Sequence, residues 1–237
     1  MLAVFILPHA QTNREANSIS TYEGEFTGQA EPPAEPLSLW YRRPARQWVE
    51  ALPVGNGRLG AMIFGGIVNE RLQPTEVTLY GGGPYDPNNP ESLAALPEVR
   101  RLVFEGRYSD AHKLISEKMM ARPLRQMPYQ TAGDFLLTFP EAKSIGNYRR
   151  ELNIDTAVAR VSYTVGGVQF SREIFSSPVD QVIAIRLTAN KPGQINFTTG
   201  MRTPQNASVR AEGKDTLVLR GVNGAARGIA GAHKFQV

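Results

Sequence analysis

The sequence of 237 residues contains no cysteine, which excludes disulfide bridges, thiolate metal ligands and catalytic thiols but does not indicate a compartment. Its three histidines, His9, His112 and His233, are far apart and show no H-E-x-x-H spacing, so no histidine-based metal site is predicted. Nucleophile-elbow, P-loop and EF-hand patterns are also missing. We therefore predict neither a metal nor a cofactor.

A strong charge of one sign and long apolar runs are missing as well. Lysine and arginine number 26 against 22 acidic residues, and the basic residues are dispersed, which argues against nucleic-acid binding. No run approaches the roughly 20 apolar residues that span a bilayer, so no membrane partner is predicted. With 41% hydrophobic residues, a chain of this length buries a sizeable core.

Residues 1–36 predict a flexible leader that precedes a folded domain at 37–237. The opening MLAVFILPHAQT is a short apolar run broken by Pro8, compatible with the remnant of an export signal. The polar, proline-dotted stretch to Pro36 has the composition of a disordered segment. We predict a periplasmic or secreted protein, with a cytoplasmic location left open.

Residues 52–66, LPVGNGRLGAMIFGG, carry the glycine spacing G-x-G-x-x-G, which occurs in dinucleotide-binding loops and also suits hairpins. A dinucleotide site needs a parallel strand before the glycines and a helix after them, whose N-terminus holds the pyrophosphate. Here Pro53 precedes the glycines, and the apolar segment that follows has no helical periodicity. We predict a hairpin whose turn is formed by Gly55, Asn56 and Gly57, with Asn56-Gly57 as the central pair.

The rest of the domain is predicted to be mainly β. Residues 90–121 have helical spacing, with one helix ending near Gly106 and a second capped by Ser109. After Pro123, short segments rich in Val, Ile, Phe, Tyr and Thr alternate with turn residues, and Gly166-Gly167 marks a hairpin. This pattern predicts an antiparallel β-sandwich with a short helical insertion. The chain ends within a strand-like segment, so we expect the sandwich to be truncated at its C-terminal end.

Residues 39–66, LWYRRPARQWVEALPVGNGRLGAMIFGG, closely resemble the N-terminal β-sandwich domain of glycoside hydrolase family 95, which comprises α-L-fucosidases and some α-L-galactosidases. The blocks EGRYSDAHKL, MPYQTAGDFLLTF, YRRELNIDTAVARVSY and REIFSSPVDQVIAIRL follow in the family's order, so the resemblance covers about residues 38 to 237. The family segment L-N-E-x-T-L-W-x-G-x-P is altered here, since Thr75 replaces Asn and Tyr80 replaces Trp. Its matching positions are Glu76, Thr78, Leu79 and Pro84.

The resemblance implies a galactose-mutarotase-like sandwich from an enzyme that removes terminal α-1,2-linked L-fucose, or L-galactose, by an inverting mechanism. In the family an (α/α)6 barrel follows the sandwich and holds the acid and base, so no catalytic residue is implied in this chain. The implied partners are fucosylated oligo- or polysaccharides, bound by the whole enzyme, and the downstream barrel. The chain alone is predicted to be inactive. A stand-alone carbohydrate-binding or scaffolding module is the alternative.

Three acidic residues, Glu50, Glu76 and Asp134, lie in the family-like blocks, and glycoside hydrolysis needs two carboxyl groups that flank the bond. For Glu50 we favour a strand-end carboxylate bonded to a turn or an arginine, and for Asp134 a hydrogen bond beside a turn. Glu76 and Tyr80 are the predicted substrate-adjacent residues. The glycine-rich loop YGGGPYDPNNP could approach a sugar, and Tyr80 or Tyr85 could stack on it. For the loop itself we favour a rigid segment that packs the sandwich against the downstream barrel.

Overall fold

The structure, a computed structural model, describes residues 24–237. These residues form two compact units. The first comprises the described residues up to 79 together with Gln130–Val222 and Lys234–Val237, and the second comprises Tyr80–Tyr129 and Asn223–His233. No helix in the described part of the chain is long and apolar enough to cross a membrane.

The first unit holds all the strands and a one-turn 3-10 helix at Trp48–Glu50. In chain order the strands are β1 (Glu25–Thr27), β2 (Ser38–Tyr41), β3 (Leu52–Gly55), β4 (Leu59–Ile63), β5 (Asn69–Glu76), β6 (Asp134–Thr138), β7 (Ser144–Asn153), β8 (Val158–Val165), β9 (Val168–Ser177), β10 (Val182–Ala189), β11 (Thr198–Arg202), β12 (Asn206–Glu212), β13 (Thr216–Val222) and β14 (Lys234–Gln236).

Two sheets enclose the main core of this unit. One has the order β1-β7-β8-β9-β10, with β2 also paired to β7, and the other has the order β11-β6-β5-β4-β3. Alternate residues of β8, such as Ala159 and Val161, point inward and are buried, as expected for a strand with one face on a core. The largest apolar cluster draws on both sheets, and its buried members are Leu52, Val54, Ala61, Ile63, Leu72, Leu152, Ala159 and Ile174. The predicted antiparallel sandwich is confirmed.

The hairpin between β8 and β9 forms as predicted. Val165 pairs with Val168, which leaves Gly166 and Gly167 as the two turn residues. Both have positive φ, +56° and +73°, the conformation that a tight hairpin turn requires and that glycine adopts without a steric penalty. A third sheet, β12-β13-β14, completes the first unit.

The predicted leader, 1–36, falls partly outside the described residues, which begin at residue 24. Within its described part, β1 pairs in parallel with the start of β7. Phe26 stabilises this pairing, because its ring meets the Tyr148 ring edge-on at 5.7 Å between centroids and packs against a buried cluster. Apolar contact of this kind offsets the entropy that ordering a short segment costs.

The second unit contains the helical insertion, α1 (Ser92–Phe104) and α2 (Tyr108–Lys118). Gly106 has φ +74° just after α1, so the predicted helix end is confirmed. Ser109 lies inside α2, so the prediction that it caps this helix is wrong. Arg107 occupies the cap position and makes no side-chain cap hydrogen bond. The buried positions of the two helices are Val99, Leu102 and Ala111, whereas the apolar residues Leu93 and Val103 are exposed.

Candidate functional site

The G-x-G-x-x-G segment forms the antiparallel hairpin of β3 and β4, in which Gly55 pairs with Gly60. No helix follows these glycines, since β4 leads directly into β5. A pyrophosphate would therefore find no helix N-terminus here. The hairpin prediction is confirmed.

The turn of this hairpin is centred one residue later than predicted. Gly57, at φ +90°, and Arg58 are its central residues, and the Asn56 N–H donates to the Leu59 carbonyl at 2.9 Å. The Asn56 side chain accepts the N–H groups of Arg58 and Leu59 at 3.0 and 2.7 Å. Its amide nitrogen also donates to the Ser177 carbonyl at 2.7 Å. Asn56 therefore caps the turn and ties it to β9.

Glu76, a predicted substrate-adjacent residue, lies at the end of β5 in the first unit. One carboxylate oxygen accepts the Thr78 N–H and hydroxyl at 2.8 and 2.6 Å, and the other accepts Arg58 Nε at 3.3 Å. The Thr78 hydrogen bonds, with Arg58, lower the pKa of Glu76 below its ordinary value. Its carboxylate fixes the turn that follows β5.

Tyr80, the other predicted substrate-adjacent residue, belongs to the second unit, so the two residues do not form one site within a single unit. Its side chain is 43% exposed, and its ring meets the Tyr129 ring edge-on at 5.3 Å. A backbone bridge also joins these two tyrosines. The ring of Tyr80 is thus accessible and held in place.

The glycines that follow Tyr80 do not form an open loop. Gly81 and Gly82 are buried, and Asn223 donates through its amide nitrogen to the carbonyls of Tyr80 and Gly82, both at 2.6 Å. A Cβ added to Gly82 would press against the side chains of Met127 and Ile229. The backbone of Gly81 and Gly82 is therefore packed within its own unit, and contact of this segment with a sugar stays a prediction.

Asp134 differs from its prediction as a turn residue. It is the first residue of β6, it is buried, and its two oxygens accept Arg71 Nε at 2.8 Å and Arg202 Nε at 2.7 Å. These arginines lie on the neighbouring strands β5 and β11. Asp134 therefore links three adjacent strands through charge-assisted hydrogen bonds.

Glu50 bonds a turn, as predicted, but it ends the 3-10 helix and not a strand. Its carboxylate accepts the Arg46 N–H at 2.6 Å and the Gln47 side-chain amide at 3.2 Å. These hydrogen bonds lower the pKa of Glu50. The residue is a local cap on the exposed surface.

A buried ion pair, Glu70 and Arg172, was not predicted. Arg172 Nη1 lies 2.5 Å from Glu70 Oε2, and their side chains are 2% and 0% exposed. Backbone N–H groups of Gly65, Gly66 and Arg71 donate to the other Glu70 oxygen. Burial raises the pKa of Glu70, against the opposing effect of Arg172.

The sequence does contain a signal for this pair. In VQFSREIF, Arg172 shares the inward strand face with Val168, Phe170 and Ile174. A charge at an inward position requires a partner, because burying it alone is costly. The sequence does not indicate which residue is the partner, since Glu70 lies about a hundred residues away in the chain.

Among residues 24–237, no group of three or more His, Cys, Asp or Glu side chains is placed to hold a metal ion.

Residues 39–237 match the family described as glycosyl hydrolase family 65, N-terminal domain. The chain belongs to this family of N-terminal domains. This assignment and the fucosidase names of its relatives together confirm the resemblance to the N-terminal domain of a family-95-like fucosidase.

Relatives of this glycosyl hydrolase N-terminal domain are named as fucosidases. The chain is 45% identical over 167 residues to alpha-L-fucosidase 2 of Arabidopsis thaliana, covering 69% of this chain and 20% of that protein. It is 32% identical over 182 residues to probable alpha-fucosidase A of Aspergillus niger, covering 73% and 22%. The chain spans about a fifth of the length of the curated relatives that it matches.

Proposed function

We propose that this chain is the non-catalytic N-terminal domain of an α-L-fucosidase-like glycoside hydrolase. The parent enzyme would remove terminal α-1,2-linked L-fucose, or L-galactose, from glycans by inversion, with its acid and base in a helical barrel outside this chain. The observation that carries the proposal is the match of residues 39–237 to a glycosyl hydrolase N-terminal domain, with relatives named as fucosidases.

The chemistry of the acidic residues supports a non-catalytic role. A general acid in a glycosidase needs a raised pKa and contact with the leaving oxygen. The pKa values of Glu50 and Glu76 are lowered, and Asp134 is held between two arginines. Glu70 has a raised pKa, but its side chain is 0% exposed and its oxygens are already bonded to Arg172 and to backbone N–H groups.

A chimera tests the proposal. The segment of the Arabidopsis relative that matches this chain is replaced by this chain, and fucose release from 2′-fucosyllactose is measured. We expect the chimera to hydrolyse the substrate, whereas this chain alone, folded by circular dichroism, releases none. The relative lacking its matching segment is the control.

Three results would contradict parts of the proposal. Release of fucose by the purified chain alone would place catalysis within it, and Glu50, Glu76 and Asp134 would then be the first residues to substitute. For an active chimera, NMR of the first product should show β-L-fucose, because inversion converts the α linkage to the β anomer. An initial α anomer would contradict the inverting mechanism. A folded chimera without activity would favour the stand-alone module.

A further inference from the structure

A cleft of about 320 Å³ lies within the first unit. Its lining comes from six segments of the chain: the connection between β4 and β5, the connection between β6 and β7, the end of β8, the start of β9, the end of β10 and the loop before β11. The volume is at the lower end of the range for small-molecule sites, about 300 to 1,000 Å³. The cleft therefore suits a small ligand such as a single sugar ring.

Aromatic side chains line this cleft. Tyr163 and Phe170 stack with their ring centroids 5.5 Å apart and their planes 22° apart, and Phe139 contributes a third ring. The guanidinium carbon of Arg172 lies 4.5 Å from the centroid of Phe139. Aromatic rings provide apolar contact area of defined geometry, which suits the C–H face of a pyranose.

Arg172 supplies a buried donor with no acceptor. Its Nη1 donates to Gly66 O and Glu70, and its Nη2 donates to Ile67 O and the Tyr163 hydroxyl. The remaining donor, Nε–H, is buried and unpartnered, and Arg172 lines the cleft. A buried donor without a partner is unfavourable. The Nε atom is enclosed by protein, so a sugar oxygen would bond it only after a small shift of the surrounding aromatic side chains, and the new hydrogen bond would remove the cost of the unpartnered donor.

The charge balance favours a neutral ligand. Glu70 lies in direct contact with Arg172, so the guanidinium already has its counter-charge. The rim of the cleft adds the exposed amides of Gln194 and Asn196 and the hydroxyl of Thr188, which can donate to and accept from hydroxyl groups. Glu141, which is exposed, also lines the cleft, so a carboxylate or phosphate would meet a negative charge and no unpaired positive one.

We propose that this cleft binds a neutral sugar residue, with an aromatic wall against the ring and Arg172 Nε–H donating to one of its oxygens. The preference for a sugar over another neutral polyol rests on the proposed function.

The test is an NMR titration of this chain labelled with ¹⁵N. The probes are L-fucose and 2′-fucosyllactose, with glycerol as the control polyol, and the signals are the side-chain Nε–H of Arg172 and the backbone amides of the cleft. We expect saturable shifts with a sugar and none with glycerol. The Nε–H of Arg71, which already donates to Asp134, should not move. No saturable shift at about 50 mM sugar, well above a millimolar Kd, would overturn the proposal.

Matched variants locate the binding. Gln194→Ala removes a rim amide and should weaken binding about 3- to 10-fold, whereas Gln169→Ala, an exposed residue of β9 that does not line the cleft, should leave it unchanged. Phe139→Leu keeps an apolar side chain but removes the ring, and at least about tenfold weaker binding is expected. Equal affinity in the wild type, Gln194→Ala and Phe139→Leu would contradict the proposed site.

The two proposals fail separately. Sugar binding by this chain, together with a folded chimera that releases no fucose, would support the cleft proposal and contradict the proposed role in a fucosidase. Fucose release by the chimera without sugar binding to this chain would remove only the cleft proposal. Equal shifts with glycerol and sugar would show a general polyol site and would also contradict it.

Discussion

Single residues determine much of the connection between the two facing sheets. Arg172 on β9 binds Glu70 on β5, and it also donates to the carbonyls of Gly66 and Ile67 between β4 and β5. Tyr148 on β7 donates to the Gly65 carbonyl at 2.6 Å. Polar contacts therefore cross the sandwich beside its apolar core, and each one holds the short connection between β4 and β5.

Breaking the buried pair should be strongly destabilising. We expect Arg172→Met to lower the free energy of unfolding by about 3 to 5 kcal/mol, because Glu70 is left buried without its counter-charge. Chemical denaturation measures this change. Arg58→Met, which breaks the exposed pair with Glu76, is the control and should cost less than about 1 kcal/mol.

A double variant separates the charge effect from lost packing. Glu70→Gln combined with Arg172→Met removes both charges, so it should be more stable than the sum of the two single changes implies. Additive effects would show that the two charges do not interact energetically in the folded protein.

Gly66 is required by close backbone approach. A Cβ at this position would overlap the carbonyl group of Asn69, whereas a Cβ at Gly200 on β11 would meet no heavy atom within 4 Å. We expect Gly66→Ala to destabilise the protein by more than about 2 kcal/mol and Gly200→Ala to change stability by less than about 1 kcal/mol. Thermal unfolding of the two variants compares them. Equal melting temperatures would refute the steric argument.

At the scale of elements, the β3–β4 hairpin depends on a side-chain cap. Asn56→Ala removes the acceptor for two backbone N–H groups and the donor to Ser177, so a loss of about 1 to 2 kcal/mol is expected. Asn56→Asp keeps the acceptor and should lose less. Denaturant unfolding of both variants gives the comparison, and an aspartate variant no more stable than the alanine variant would assign the whole effect to the bond with Ser177.

Elements with local signals could be predicted from the sequence. Gly166-Gly167 sets its turn by backbone conformation alone, and Gly106 ends α1 in the same way. Strands β5 and β7 were not predicted, because charged residues occupy their buried positions. Glu70 on β5 and Arg150 on β7 are both buried, and their partners lie about a hundred residues away in the chain. The alternation of polar and apolar residues therefore does not identify these strands, because each carries a buried charge whose partner is far away in the chain.

The candidate sites show the same limit. Glu76 and Tyr80 were chosen because they are close in sequence, yet they belong to different compact units. The cleft draws on six separate segments, so no short motif could indicate it. Only the inward position of Arg172 in its strand was available as a local signal.

At the scale of the whole molecule, several carboxylates should make the free energy of unfolding depend on pH in the acidic range. The pKa values of Glu50, Glu76, Glu91 and Glu98 are all lowered from 4.5 by hydrogen bonds and basic neighbours. A lowered folded pKa means that the unfolded state binds protons first as the pH falls. Their stabilising contribution is therefore complete above about pH 4.5 and is lost as the pH decreases below that value.

Glu76→Gln tests this dependence at one site. The variant cannot ionise at position 76, so its free energy of unfolding should fall less steeply between about pH 5 and pH 3 than that of the wild type. Denaturant titrations across this pH range measure the slope. An unchanged slope would mean that Glu76 titrates alike in the folded and unfolded states.

The pairing of β1 and β2 with β7 has a consequence for synthesis on the ribosome. Glu25 pairs with Ser144 and Tyr41 with Arg150, so more than a hundred residues separate the partners in translation order. At about 5 to 20 residues per second, the earliest strand waits roughly 6 to 24 s before its partner emerges. During that interval its apolar residue Phe26 has no native contact with Tyr148, and a chaperone that shields nascent chains would have time to act on this segment.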